Sequence, residues 1–454
     1  MRNVKGSKYT HRVLGRLVIE AETPLAIGSG EKDITTDSLV ALDVNGLPYI
    51  PGTTLAGVIR SAMNIDKYDE VWGFQKSSNG KGSEIIFTEA KILNSKGEVM
   101  DGMLSQAEKE DALLLEYKTL PIRQHVRIGD KGTAENAGKF DEQVVYAGTR
   151  FCFEVEMLSD KDDKDYISRM LNHLSCKSFR IGGGTRSGFG VISVKSVRIV
   201  TLDLSKQLEE YLEKSSNLRE SAAWWVNRGE ADKQSSTQDT ISYTLKLKAQ
   251  DFIMFGSGFG DEHGDADMTT VKASKVKWSN EIGKLEQNLV LIPATSVKGA
   301  IRHRMIYHMN RLEGKWAADS ASVEKFKENE TVNMLFGYID GKDTTPGHVY
   351  ISDLIEDMDK ARPKLLNHVS IDRFTGGAID GALFTEQVDD VRDKVFTMYI
   401  DIVDYELEGN AKIAFEQTLK DICNGLLPLG GGVNRGNGIF TGFYELKEKD
   451  YEDR

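Results

Sequence analysis

Two glycine runs hold the residues best suited to chemistry. Residues 181–190 read IGGGTRSGFG and residues 429–438 read LGGGVNRGNG. Glycines let a backbone approach another chain closely and present its N–H groups, which is how a phosphate can be cradled. Gly182, Gly183 and Gly184 in the first run, and Gly430, Gly431 and Gly432 in the second, would supply those groups. Arg186 and Arg435 sit inside the runs as guanidinium partners for phosphate. Neither run is a Walker loop, because no Lys–Ser/Thr follows its last glycine. Neither opens a helix as a dinucleotide loop does; each follows a helical pattern and leads into a strand. A tight connection needing positive φ is the structural reading of the same residues, and the two readings are compatible.

A second pair of stretches points the same way. YIPGTTLAGVIRSAMN (49–64) matches LIPATSVKGAIRHRMI (291–306), with a shift of 293 − 51 = 242 residues between the prolines. After each Pro, a Thr or Ser is expected to cap a helix start. Leu55, Val58, Ile59 and Ala62 share one helical face, as do Val297, Ala300 and Ile301. Helix starts favour anions. Lys298 and, one turn on, Arg302 are therefore candidate phosphate contacts. Arg60 is the first-half equivalent of Arg302, but Ala56 stands where Lys298 would fall.

These pairs belong to a longer repeat. LVIEAETPLAIGSG (17–30) matches TLKLKAQDFIMFGSG (244–258), each with period-two apolar residues that imply a half-buried strand. VWGF answers LFGY, and IIFTEAKIL answers VYISDLIED. In the next block His125 pairs with His368, Phe140 with Phe384 and Gln143 with Gln387. A helix with Ile167, Met170, Leu171 and Leu174 precedes the first glycine run; one with Phe415, Leu419 and Ile422 precedes the second. Each half reads strand, helix, strand, strand, helix, strand. The expected fold class is α+β, two tandem ferredoxin-like (βαββαβ) domains. The expected boundaries are 1–204 and 241–454, joined by a linker at 205–240 that is polar towards its end, with Trp224 and Trp225 docking it by packing.

Composition bounds the rest. With 454 residues there is room for two or three domains. Cys152, Cys176 and Cys423 are widely spaced and form no zinc or disulfide pattern. No run is apolar enough to span a bilayer and no secretory h-region begins the chain, so a cytoplasmic protein without a membrane role is expected. The net charge of −12 opposes wholesale binding of nucleic acid, but a local basic groove escapes that argument.

The IPG/IPA helix start, the GGG-x-x-R loop and this frame together resemble the RAMP superfamily, the repeat-associated proteins of type III CRISPR effector complexes. The chain resembles two backbone subunits fused. The resemblance implies binding of CRISPR RNA and target RNA, alongside neighbouring backbone, large polymerase-like and small subunits. It implies that 121–143 and 367–387 are thumb segments pushed through the guide–target duplex, with Arg123, Arg127 and Arg373 contacting RNA. His125 and His368 are RNA-facing candidates better suited to packing than to catalysis. It also implies metal-dependent cutting of target RNA by an aspartate after the first strand. Asp37, in TTDSLV, matches by position, and Asp33 is the fallback. Asp37 would help hold a weakly bound Mg²⁺ or Mn²⁺. In the second half Val271 or Lys272 is expected at that place, with Asp265 and Asp267 nearby, so that half is expected to grip RNA and cut poorly. A scaffold without an active site and a metal-independent guide-processing endoribonuclease are the alternatives.

Overall fold

The computed structural model describes residues 9–33, 36–67, 69–76, 79–129, 133–220, 240–260, 264–315, 329–340, 343–356 and 362–447. Trp224, Trp225 and most of the linker lie outside them.

In the first half, β1 (His11–Ala21), α1 (Gly52–Ala62), β2 (Ile85–Phe87), a hairpin of β3 (Ile122–Ile128) and β4 (Ala134–Gln143), β5 (Arg150–Ser159), α2 (Lys164–Asn172) and β6 (Ile192–Asp203) follow in order. The sheet runs β2-β5-β1-β6, all antiparallel. Val13, Leu17, Ile19 and Ala21 of β1 point into one core with Leu55 and Ile59 of α1 and Ile167 and Met170 of α2. Each fully buried Val, Leu, Ile or Met side chain among them contributes roughly 1.5–3 kcal/mol. That burial makes the period-two strand and the 3.6-period helices settle together.

The second half repeats this plan. β7 (Thr240–Ala249), a hairpin of β8 (Lys272–Ser279) and β9 (Ile282–Ile292), α3 (Ala294–Leu312), β10 (Val349–Ile351), a hairpin of β11 (Arg362–Ile371) and β12 (Ala378–Asp390), β13 (Val395–Val403), α4 (Gly409–Cys423) and β14 (Phe440–Lys447) follow in order. Its sheet runs β10-β13-β7-β14. The register repeats too. Ile85 pairs with Met157 as Val349 pairs with Ile402, and His125 faces Phe140 as His368 faces Phe384.

One expectation fails locally. Pro51 and Pro293 are themselves the N-caps of α1 and α3, and no Thr or Ser side chain caps either helix. The α3 start is closed instead by Asp353, whose Oδ1 accepts from Ala294 N at 2.9 Å. A rigid Pro leading straight into the helix leaves the following hydroxyl inside the first turn, past the capping position.

The halves join head to tail. The first-half glycine loop lies on β10 and the start of α3. The β8–β9 hairpin straps over the first half: Val276 N donates to Ala147 O, the Trp278 indole donates to Gly148 O at 2.7 Å, and the Arg150 guanidinium lies 4.1 Å from the Trp278 ring. A short helix, Leu208–Leu212, opens the linker; Tyr211 packs near Leu14 and Leu202 while Leu212 is exposed.

Candidate nucleic-acid interface

The two glycine loops are the same structure. Gly182 and Gly430 have φ of 91° and 96°, Gly188 and Gly436 of 108° and 93°. Gly183 N donates to Ala26 O as Gly431 N donates to Met254 O. A Cβ on Gly182 would come within 2.5 Å of Ala26 O, and one on Gly430 within 2.4 Å of Met254 O. These glycines are required by both dihedral and space. Each loop is thereby clamped to the segment that follows the first strand of its half.

Their surroundings differ. The first loop is a basic joint between halves. Arg186 Nε donates to Gly347 O at 2.8 Å and its Nη2 to the Tyr350 hydroxyl. Arg180 donates to Phe189 O and to Ser352 Oγ, and its guanidinium lies over the Tyr350 ring. Lys298 Nζ donates to Arg186 O and Val349 O. Among the described residues none of these three cations pairs with a carboxylate. Burial, then Arg186 and Arg180, pull the Lys298 pKa down to about 8; burial pulls that of Arg180 to about 10. Arg123 is the exception, ion-paired with Asp353 across the joint.

The second loop faces outward. Arg435 Nη2 bonds the buried Glu386 at 2.5 Å, and His368 Nε2 lies 3.0 Å from the same carboxylate. Burial works against charge on Glu386, but Arg435 and His368 outweigh it and hold its pKa below the ordinary value. In the first half His125 lies 2.9 Å from Glu142. Both histidines stack on their hairpin phenylalanines, Phe140 at 4.7 Å and Phe384 at 4.8 Å. Arg60 donates to Gly73 O, Asp66 O and Lys67 O, and Arg302 to Asn333 Oδ1, so both stitch their helix to the chain beyond it. Arg127 is largely exposed and pairs with Glu135; Arg373 is exposed at the tip of the second hairpin.

The aspartates give the main correction. Asp141 N donates to Asp37 Oδ2 at 3.1 Å, and Thr385 N donates to Asp267 Oδ2 at 2.8 Å. Next to them, Gln143 N donates to Ser38 O as Gln387 N donates to Met268 O. Asp267, not Val271 or Lys272, is therefore the counterpart of Asp37. From the Gly-Ser-Gly loop Asp37 lies seven residues on (37 − 30) and Asp267 nine (267 − 258), so a two-residue insertion hid the match. Both aspartates are exposed against the base of a hairpin. Asp33 and Asp265 lie on the same loops, and Asp33 N donates to Thr36 O. Among the described residues, Asp141 Oδ1 is buried without a hydrogen-bond partner; its backbone N is the one that bonds Asp37. Its oxygen chemistry suits a hard divalent cation. Among the described residues no group of three His, Cys, Asp or Glu side chains forms a metal cage, and no helix is long and apolar enough to cross a membrane.

A search of curated proteins finds no match. The model of the RAMP superfamily matches twice, over residues 18–193 and 244–441. The matches coincide with the two sheets and their glycine loops, and the chain belongs to the RAMP superfamily, with one family domain in each half.

Proposed function

We propose that the protein is an RNA-binding backbone subunit of a type III CRISPR ribonucleoprotein, built of two ferredoxin-like frames, that grips guide RNA and cuts the paired target. Family membership supports the CRISPR-associated, RNA-binding part. The observation that carries the reading is the joint of Arg180, Arg186 and Lys298, three neighbouring cations held, among the described residues, only by neutral acceptors. A phosphate would supply the missing counter-charge.

The two long hairpins are the thumbs. Val126, Ile128 and Phe140 on one, and Ile371, Phe374 and Leu383 on the other, are large apolar side chains left in solvent, Phe374 at 99% exposure. Such side chains suit wedging between stacked bases. Asp37 and Asp267, each at the base of a thumb, then lie where a duplex would be distorted.

Asp37 with Asp141 fits a divalent cation, Mg²⁺ or Mn²⁺, completed by RNA oxygens; Asp267 has Thr385 in place of the second carboxylate and is the weaker site. When bound, the metal would supply charge stabilisation at the scissile phosphate. Asp37 itself would hold and orient, its second oxygen fixed by the Asp141 amide. In the assembled complex, Asp37→Ala is expected to lower one cut at least tenfold, and Asp267→Ala a second cut one domain away, read on labelled target RNA with Mg²⁺ and with EDTA. Unchanged cutting by the double variant refutes the assignment. A scaffold that grips RNA without cutting is the second reading, and absence of cutting by the wild-type complex with Mg²⁺ would favour it. The stacked, glutamate-bound histidines disfavour metal-independent guide processing.

A further inference from the structure

A cavity of about 520 Å³ lies on the outer face of the first-half sheet, the face turned away from α1 and α2. Side chains of β1 alternate there: Leu17 and Ile19 enter the core, while Arg16 and Val18 line the cavity. Val18, Met100 and Cys152 give it an apolar wall, and Arg16, Arg198 and Arg219 bring charge. That size, with an apolar wall and a few converging charged groups, suits a small organic molecule.

The arginines are the unusual part. Arg16 stands between Glu154 of β5 and Arg198 of β6, directly opposite each. Its guanidinium donates to Glu154 Oε1 at 3.1 Å. Arg198 on the other side is a like charge, and like charges directly opposite destabilise a sheet. The second half carries Tyr399, Thr244 and Glu445 in the same row, so the frame itself does not call for two arginines.

Arg219 comes from outside the sheet and is held over it. Arg16 donates to Leu218 O and, at 3.0 Å, to Glu220 O, the carbonyls that flank Arg219. Leu218 N donates to Asp101 Oδ2 at 2.9 Å. Arg219 Nη1 donates to Glu108 Oε1 at 2.7 Å, while its Nε and Nη2 are buried without a hydrogen-bond partner among the described residues. Those two nitrogens form the edge of a guanidinium that takes two oxygens of a carboxylate or phosphate side by side. A buried donor left unpaired costs free energy that such an anion would recover. Glu98 and Glu108 are the carboxylates lining the cavity, and Glu98 Oε2 already accepts from Asn94 Nδ2 at 2.8 Å. Three arginines against two glutamates leave one positive charge in excess.

We propose that this cavity binds a small organic oxyanion, a carboxylate or phosphate on an apolar or aromatic body. Arg219 and Arg198 hold the anion; Val18, Met100 and Cys152 hold the body. The proposal does not depend on the RNA-binding reading, since no cation of the joint lines the cavity.

The test is calorimetric titration of the full-length, RNA-free protein in buffer without phosphate or carboxylate. The probes are AMP, benzoate and inorganic phosphate. AMP or benzoate is expected to bind with a Kd below about 1 mM, and inorganic phosphate at least about tenfold more weakly. Binding of AMP alone assigns a phosphorylated ligand, and of benzoate alone a carboxylate. Arg219→Gln is expected to weaken binding at least about tenfold, and Arg219→Lys to restore little of it, because an ammonium lacks the two-donor edge. Val18→Phe, which fills the cavity and leaves Arg219 in place, should weaken binding as well. No binding of either organic probe overturns the proposal, as does inorganic phosphate binding as tightly as they do. Binding that survives both Arg219→Gln and Val18→Phe but is lost in Arg186→Ala belongs to the joint and overturns it too.

Discussion

Lys298 is the residue on which the joint's electrostatics can be read. Its pKa is near 8 when folded, against an ordinary 10.5, because the charged form is buried beside Arg186 and Arg180. Between those values the unfolded chain binds more protons than the folded one, so stability rises as pH climbs from about 8 to about 10.5. Below pH 8 both states are charged and the full penalty applies. Lys298→Met removes the titrating group. The melting temperature of wild type relative to this variant is therefore expected to rise by a few degrees between pH 8 and pH 10, measured by thermal denaturation without RNA. A difference independent of pH would show that the ammonium is not strained by its neighbours. Arg435 belongs to a different class. It bonds the buried Glu386, and Arg435→Ala is expected to cost roughly 1–3 kcal/mol in urea denaturation by leaving that carboxylate to His368 and Asn437 alone; Arg435→Ala together with Glu386→Gln should recover part of the loss.

At the scale of elements, most of the frame is legible in the sequence and one element is not. Period-two strands and one-sided helices declare themselves because each half buries its own core. The strap β8–β9 does not, since its charged alternation, KASKVKWSNEIGKLEQ, gives no sign of what it covers. Its apolar face meets the first half, a contact that exists only after both domains fold. The helix start is similar: the sequence offered a local Thr or Ser cap, and the fold used Asp353, 59 residues away. The strap makes the pair of domains one body. Trp278→Ala deletes the indole bond to Gly148 and the stacked Arg150. It is expected to cost about 3 kcal/mol and to split the calorimetric unfolding peak into two. A single peak shifted as a unit would mean that the loop joint alone holds the halves together.

At the scale of the molecule, an acidic protein must hold a polyanion, and the distribution of charge resolves the conflict. The cations nearest the proposed RNA contacts are either sunk in the joint or carried outward on the two long hairpins. The net charge of −12 keeps non-specific attraction low. The same distribution explains which site residues were legible. Arg186 and Lys298 sit in motifs and stand out in the sequence, whereas Arg180, in no motif, does not, although the fold brings it beside them. Asp267 was displaced from its partner by two residues of loop. The hairpin cations give a measurable consequence. Arg127 and Arg373 are exposed, one on each long hairpin, and each would release about 0.7 counterion on contacting single-stranded RNA. The double variant Arg127→Ala/Arg373→Ala is therefore expected to reduce the slope of log affinity against log salt by about 1.4, in filter binding of guide-length RNA between low and moderate salt. Arg186→Ala should also weaken binding, but by opening the joint as well as by removing a charge, so its loss should persist at high salt. If the thumb variant keeps the full slope, the hairpins do not touch RNA, and the exposed apolar side chains along them would have to serve protein contacts instead.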